Sequence, residues 1–560
     1  MVNWDSQRLE DLLKLAIGLV LVVLVNLLAS KSFFRVDLTE EKRFSIKEAT
    51  KDLLKNLDED VYVEVYLAGE LNADFQRLQN GIKEVLEEFK IYSNNKVKYA
   101  FQDPTISEDA KTRNEFIADL SAKGITPTQV YDNKDGVRTQ KLILPGAIVS
   151  FGAAEKGVTF LKGSQSVSAI EKINQSIEGV EYELAIAIAQ LSGAERKKIG
   201  LLKGHGELEG LQISGLKSLL SQNYVVETVK MADSLSPEIF DALIIAKPSQ
   251  RFSEIDKFLL DQYIMKGGKV LFFIDKLEVD MSKIDTDANY AFPYDIGLDD
   301  MLFKYGIRVN DDLVQDMMAA TYPIVVGSMG DQPQIQMIPW PFYPLVNNYA
   351  SHNAVKNLDA ITTKFVSTID TTKAIGVSKT PIMFTSGYSR SINAPVKVAL
   401  NDLRKDINPN NLDQSNMPVG YLLEGEFTSL FKNRFLPEGI EGKFIEQSAP
   451  TKIVVIADGD IVKSEVNSKS GEAYPLGYDP YARTEFANKD LITNLVNYMV
   501  DENGIISARA KEIKIRPLDK IKIKEDSTYW QVINLVIPLV LLVLFGILKY
   551  MLRKRKYARF

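Results

Sequence analysis

The 560-residue chain is predicted to be an α/β protein in which two membrane-anchoring helices flank a large outer region. Three observations lead there. Two long apolar segments lie near the ends, strand-like apolar runs alternate with amphipathic helices between them, and the composition is globular, with 45% hydrophobic and 25% charged residues. The length exceeds what one ordinary core takes, so several domains are expected.

Residues 1–11 form a short N-terminal stretch. Residues 12–30 (LLKLAIGLVLVVLVNLLAS) are almost continuous hydrocarbon, of the length that crosses a bilayer as a helix, with Lys14 near an end where it can snorkel. No small-x-small cleavage pattern precedes Lys31 and Arg35, so an anchor is expected here in place of a cleaved signal. In the juxtamembrane segment 31–60, Ser45 followed three residues later by Glu48 reads as a capping box for a helix carrying Leu53, Leu54 and Leu57.

Residues 61–165 read as a small α/β module. A strand (VYVEVYLAG) precedes an amphipathic helix over 75–92, with Leu78, Ile82, Val85, Leu86 and Phe89 on one face, and a strand (VKYAFQDP) follows. A helical stretch over 114–123 and strands near Val130 and at LILPGAIVSFG complete it. The order is thioredoxin-like, but the chain has no cysteine, which removes dithiol redox chemistry, thiolate metal sites and cysteine nucleophiles together.

Residues 166–515 read as a larger domain with a Rossmann/flavodoxin-like parallel sheet. A helix over 177–191 leads into strands KKIGLLKG, VVETVKM, DALIIAKPSQ and KVLFFID, with helices over 213–221 and 253–266. A loop-rich insertion occupies about 280–450, loosest at 280–300, 327–344 and 405–420, where Asp, Asn, Pro and Gly collect. The strand TKIVVIADGD and a helix over 488–500 then return to the sheet.

The juxtamembrane segment 516–531 leads to a second predicted span, 532–552 (VINLVIPLVLLVLFGILKYML), and a basic tail, 553–560. Lys549, Arg553, Lys554, Arg555, Lys556 and Arg559 cluster without an acidic residue, which places this end in the cytoplasm, while Tyr529 and Trp530 suit the opposite interface. Two spans return the N-terminus to the cytoplasm as well. The expected setting is a bacterial inner membrane, with the bulk of the chain periplasmic.

The formal net charge of −7 argues against a nucleic-acid partner. GxxxxGK[ST] is absent: KGGKV at 266–270 lacks the first glycine and the hydroxyl and precedes a strand. With only His205 and His352 in the chain, HExxH cannot occur, and GxSxG is absent. No cofactor, metal or catalytic residue is therefore assigned. One constellation stands out, because ligands of open parallel sheets bind beyond the carboxyl ends of strands. Those ends carry His205 and Glu207 in LKGHGE, Ser249, Asp275, and Asp458 with Asp460 in ADGD. They form either a polar rim for a small ligand or a set of helix caps around a tight turn at Gly204 and Gly206. Trp340, Phe342 and Tyr343 in PWPFYP read either as a partner contact or as a Pro-stiffened loop tucked onto its own domain.

The stretch RVDLTEEKRFSIKEATKDLLKNLDEDVYVEVYLAGE, at 35–70, resembles the opening of the ABC-transporter auxiliary family found beside bacterial export systems. LLKGHGE, GGKVLFFID, ADGD and RPLDKIKI followed by WQVINLVIPLVLLVLFGIL extend the resemblance over essentially the whole chain, toward the gliding-motility branch of that family in Bacteroidetes-type bacteria. The resemblance implies work with a separate polytopic permease and a separate cytoplasmic ATPase, in a system tied to gliding; the preferred reading is a non-catalytic membrane-anchored subunit whose outer domains bind envelope partners or a transported substrate. A solute-binding module delivering a small ligand to the permease is the alternative, and an envelope hydrolase or transferase a third reading.

Overall fold

The computed structural model describes residues 12–24, 45–106, 109–134, 137–161, 168–193, 196–231, 235–285, 289–329, 332–404, 409–440, 444–467, 469–502, 504–510, 524 and 526–557. The chain divides into two units, Met1–Lys511 and Glu512–Phe560.

Of the two predicted spans, one meets the length and apolarity of a membrane helix among the described residues. Of the first predicted span, helix α1 is described over Leu12–Leu24, fewer residues than a bilayer crossing takes, and 25–30, the remainder of that span, lie outside the described residues. So do 31–44 and 511–523, which hold parts of the two juxtamembrane segments.

Helix α2, Glu48–Lys55, follows. Its N-cap is Lys47 rather than Ser45, and the Lys47 side chain makes no cap hydrogen bond. The cap is supplied from far along the chain, by Glu181.

The small module is built on β1 (Val61–Val65), α3 (Ala73–Tyr92), β2 (Val97–Phe101), α4 (Ala110–Ala122), the hairpin β3 (Thr128–Lys134) and β4 (Val137–Ile143), and the pair β5 (Gly146–Phe151) and β6 (Ala154–Thr159). Its four-stranded sheet has the order β2-β1-β5-β6, with β1 parallel to β2 and the other pairs antiparallel. Strand β1 alternates: Val61, Val63 and Val65 are buried and Tyr62 and Glu64 point out, the pattern of a sheet covered on one face. The cover is α3, started by an Asn72 cap on Phe75 N–H and burying Leu78, Ile82, Leu86 and Phe89. Each of these apolar side chains stabilises the module by about 1.5–3 kcal/mol. Helix α5, Ala169–Ser192, contributes Ile173, Val180 and Leu184 to the same core.

The larger sheet has eight strands. Its first part is β7 (Lys198–Lys203), α6 (Leu211–Ser221), β8 (Val225–Lys230), β9 (Ala242–Ala246), α7 (Glu254–Met265) and β10 (Val270–Phe273). The insertion then adds a long hairpin of β11 (Ala319–Met329) and β12 (Gln332–Val346), followed by β13 (Asn348–Tyr349), β14 (Val377–Phe384) and β15 (Pro418–Gly425). Strand β16 (Thr451–Ile456) and α8 (Asn488–Val500) close the domain. The order is β13-β14-β15-β16-β10-β9-β7-β8, in which β16, β10, β9, β7 and β8 are mutually parallel and β13, β14 and β15 extend one edge antiparallel. Strands β9 (ALIIA) and β10 (VLFF) are buried at every position, as strands covered on both faces require.

The sequence expectation of loop at 327–344 is corrected by the β11–β12 hairpin. Its prolines suggest a loop because they cannot donate to a ladder, but a two-stranded ribbon has positions that need no donor; Pro339 pairs with Thr321 and Pro344 with Ala319. The partner-contact reading of Trp340, Phe342 and Tyr343 is corrected too. All three are buried, in a cluster with Ala320, Ile324 and Phe365, because β12 turns their side chains inward.

In the second unit, α9 (Ser527–Tyr557) contains the second predicted span and is long and apolar enough to cross a membrane.

Candidate functional site

The carboxyl ends of β16, β10, β9 and β7 stand side by side, and charged or polar residues follow within a few positions: Asp458 and Asp460, Asp275, Lys247 and Ser249, and His205 and Glu207. The structure divides the predicted residues into two groups with different chemistry.

The first group is closed on itself. Glu207 turns back over its own loop, with Oε2 accepting Gly204 N–H at 2.9 Å and His205 N–H at 2.7 Å. His205 is held through both ring nitrogens, Nδ1 by Glu207 at 3.2 Å and Nε2 by Asp256 at 3.3 Å, and stacks on Phe252 at 3.6 Å between centroids. Burial works to lower the imidazole pKa, but the hydrogen bonds to Glu207 and Asp256 outweigh it and the net shift is upward. Burial correspondingly works to raise Glu207, and its bonds to His205 carry it below the usual carboxylate value. A histidine committed at both nitrogens to carboxylates fixes a loop; it has no free nitrogen with which to act as a base. The turn is glycine-dependent at Gly206, whose φ is +70° and where an added Cβ would come within 2.2 Å of Ser249 Oγ.

The second group centres on a residue that strand-end reasoning passed over. Lys247 is the first residue after β9 and adopts φ +53°, a left-handed conformation that costs a non-glycine residue on the order of 1 kcal/mol. Its ammonium bridges Asp275 at 2.7 Å and Asp460 at 2.6 Å. Burial disfavours the charge, but Asp460 and Asp275 reverse that and hold the lysine firmly protonated. Asp275 accepts Gly459 N–H at 2.5 Å, locking the end of β10 to the end of β16. Burial raises the Asp275 carboxyl, Lys247 opposes it and Asp460 adds to it, leaving a net upward shift. Asp460 also faces burial, and Lys247, Lys463 and Lys364 together pull it below its ordinary value. Asp458 lies beneath this layer, fully buried, taking Asp460 N–H at 2.7 Å and Lys364 N–H at 2.7 Å. Burial and the neighbouring Asp460 and Asp275 push it well up.

The carboxylates of Asp275, Asp458 and Asp460 approach one another closely enough to hold a metal ion. A cation there would have to displace the Lys247 ammonium. The Lys247 ammonium already neutralises the pair that a cation would bridge, and both oxygens of Asp458 are taken by main-chain N–H groups.

Above Lys247, Asp275 and Asp460 opens a cleft of about 520 Å³. Tyr294, Tyr322, Tyr343, Tyr478, Tyr481 and Phe365 form aromatic walls, and Lys364, Lys463, Glu278, Glu465 and Asp479 ring them with charge. Ser249 lies on its margin, its hydroxyl donating to Gly206 O at 3.0 Å. Lys364 pairs with Glu465 and lies 5.4 Å above the Tyr343 ring. Asn488, at the start of α8, fixes the wall: it accepts Thr362 N–H at 3.1 Å and donates to Thr362 O at 3.0 Å. Of the residues named from the sequence, Ser249, Asp275, Asp460 and Tyr343 line this cleft, whereas His205, Glu207, Asp458, Trp340 and Phe342 do not. Lys247 carried a readable signal, since it directly follows a fully apolar strand. Lys364, Tyr322 and Tyr481 come from the insertion and from the segment before α8, and nothing local marks them.

Residues 196–495, which include every residue of this cleft, match the profile of a family described as an ABC-type uncharacterized transport system. Residues 40–150 match a domain of unknown function. The chain is 22% identical over 574 residues to an uncharacterized protein of Borreliella burgdorferi, covering 98% of this chain and 99% of that protein. Among solved structures, the mmIFT52 N-terminal domain aligns at 15% identity with a TM-score of 0.29, over 54% of this chain and 97% of that one.

Proposed function

The chain belongs to the ABC-type uncharacterized transport system family, an auxiliary component of such a system, and we propose that it is a non-catalytic, membrane-anchored subunit whose strand-end cleft receives a small polar ligand. The observation that carries this reading is Lys247. A strained backbone held in place by a buried ion pair, at the floor of a cleft with aromatic walls, is the kind of pre-organisation that binding sites use. The non-catalytic part rests on His205, committed at both nitrogens, and on Ser249, whose hydroxyl is turned to the Gly206 carbonyl.

The setting follows from α9 and the basic residues at its far end, which favour an inner-membrane anchor with a cytoplasmic C-terminus. With a second span at 12–30, both termini are cytoplasmic and the α/β domains periplasmic. The subunit then joins a polytopic permease and a cytoplasmic ATPase, and its resemblance to the gliding-motility member GldG supports a role in gliding. Purification of the intact chain in mild detergent should bring down both partners, and the eluate should hydrolyse ATP. Recovery of the chain by itself would count against the reading.

A mechanical role beside ligand binding is favoured by a separate observation: the chain near both membrane-proximal ends of the first unit docks on α5. Replacing 511–523 with a Gly/Ser linker should abolish motility and leave the complex assembled; unchanged motility would remove this role.

A further inference from the structure

The β11–β12 hairpin carries a surface the cleft does not use. Its base is anchored in the core through Ala320, Ile324 and Trp340. Its distal part is open: Val325, Val326, Ile335 and Met337 are 52%, 43%, 60% and 38% exposed. The register sets Val325 opposite Ile335 and Pro323 opposite Met337. Residues two apart on a strand share a face, so these four form one apolar face.

Two further facts define the occupant. Asp331 is the only charged residue from Met317 to Val346, in a chain that is 25% charged. Strand β11 is the edge of its sheet, paired with β12 and with no other strand among the described residues. Natural edge strands are blunted by charges, prolines or bulges; β11 has no charge, and its one proline, Pro323, and its register shifts at Ala319/Thr321 and Val325/Gly327 interrupt the ladder at those positions and leave the rest of the apolar edge open to another chain.

We propose that this edge is where two copies of the chain meet, β11 against β11 in antiparallel pairing about a two-fold axis. An isologous contact sets residue i opposite residue j and j opposite i, and residues near the axis opposite their own counterparts, so a charge near the strand's centre would face a like charge. A strand without charge is the composition that permits self-pairing, and the apolar faces of the two hairpins then merge into one. A lipid surface is the poorer occupant, because residues 317–346 contain no Lys or Arg to meet anionic headgroups. Confinement of both copies to one membrane raises their effective concentration and lowers the contact area the pairing needs.

The absence of native cysteine makes the test clean. In the full-length chain in its membrane, Val326→Cys should form a disulfide-linked species of twice the mass on mild oxidation, and the well-exposed control Ile375→Cys should not. In detergent, light scattering should give two copies for the native chain and one for Val325→Lys, with the unfolding midpoint unchanged. A Val326→Cys chain that stays single, that links only to a different protein, or that is labelled only by a lipid-soluble reagent would overturn the proposal.

Discussion

Glu181 on α5 caps α2 through Thr50: its Oε1 accepts the Thr50 hydroxyl at 2.9 Å and, beside it, Lys47 N–H at 2.6 Å. The next residue, Tyr182, stacks under the Arg509 guanidinium at 5.1 Å and takes a hydrogen bond from Asn497 Nδ2 at 2.9 Å. Adjacent residues of one helix thus hold the chain at Lys47–Thr50 and again at Arg509, close to the end of the first unit. Through Asn497, which accepts the Tyr224 hydroxyl, the same point reaches α8 and the start of β8.

Glu181→Ala should therefore cost about 2–4 kcal/mol, since it removes two hydrogen bonds to a carboxylate at a buried helix start. Hydrogen exchange of the α2 amides should accelerate with it. A melting temperature within a degree of the native chain would show that the cap carries no weight.

Lys247→Met should destabilise the chain by about 3–5 kcal/mol, because it leaves Asp275 buried without its cation and Asp460 with only the more distant Lys463 and Lys364. Those carboxylates then relieve the repulsion by taking up protons, so the deficit should shrink as pH falls. Adding Asp275→Asn and Asp460→Asn to Lys247→Met should restore much of the loss. Urea unfolding of the three chains checks this, and a triple variant no better than the single one would refute the charge argument.

His205 sets a pH dependence whose sign follows from its upward shift. Its contribution is complete below the ordinary value of 6.5 and is lost as pH rises through the raised folded value. Glu207 and Asp256 are shifted downward, so theirs is present above their ordinary values and lost as pH falls through the lowered ones. The His205→Asn variant should flatten the decline in stability above pH 6.5 that the native chain shows in denaturant midpoints. Parallel curves for the two chains would place the decline elsewhere.

Lys156 acts in the opposite sense. Burial lowers its amine to about 8 from an ordinary 10.5, and its partners, Gln190 and Asn223, are neutral amides. Between these two values the unfolded chain holds a proton that the folded chain has released, so stability rises with pH through that window, by up to about 3 kcal/mol for a shift of this size. Lys156→Met should remove the rise. Denaturant midpoints at pH 7.5 and 9.5 for both chains measure the difference, and equal slopes would show that Lys156 stays charged in the fold.

Much of this was legible locally because it is written in short range. ALIIA and VLFF are strands because every side chain is apolar, α3 is a helix because Leu78, Ile82, Leu86 and Phe89 recur at helical spacing, and the charged residues after β9, β10 and β16 follow from where those runs stop. The Pro-rich run at 327–344 misled because proline reports only its own missing donor, and whether that donor is needed depends on the partner strand.

The sequence by itself therefore determined the apolar segments, the strand and helix periods, the absence of cysteine chemistry and which side chains stand at strand ends. Only the tertiary structure decided that Lys247 joins Asp275 to Asp460, that His205 is consumed by Glu207 and Asp256, that Trp340 is core, and that Glu181 caps a helix more than a hundred residues away. The reason is physical: periodicity and composition act between neighbours in the chain, whereas ion pairing, burial and capping act between neighbours in space.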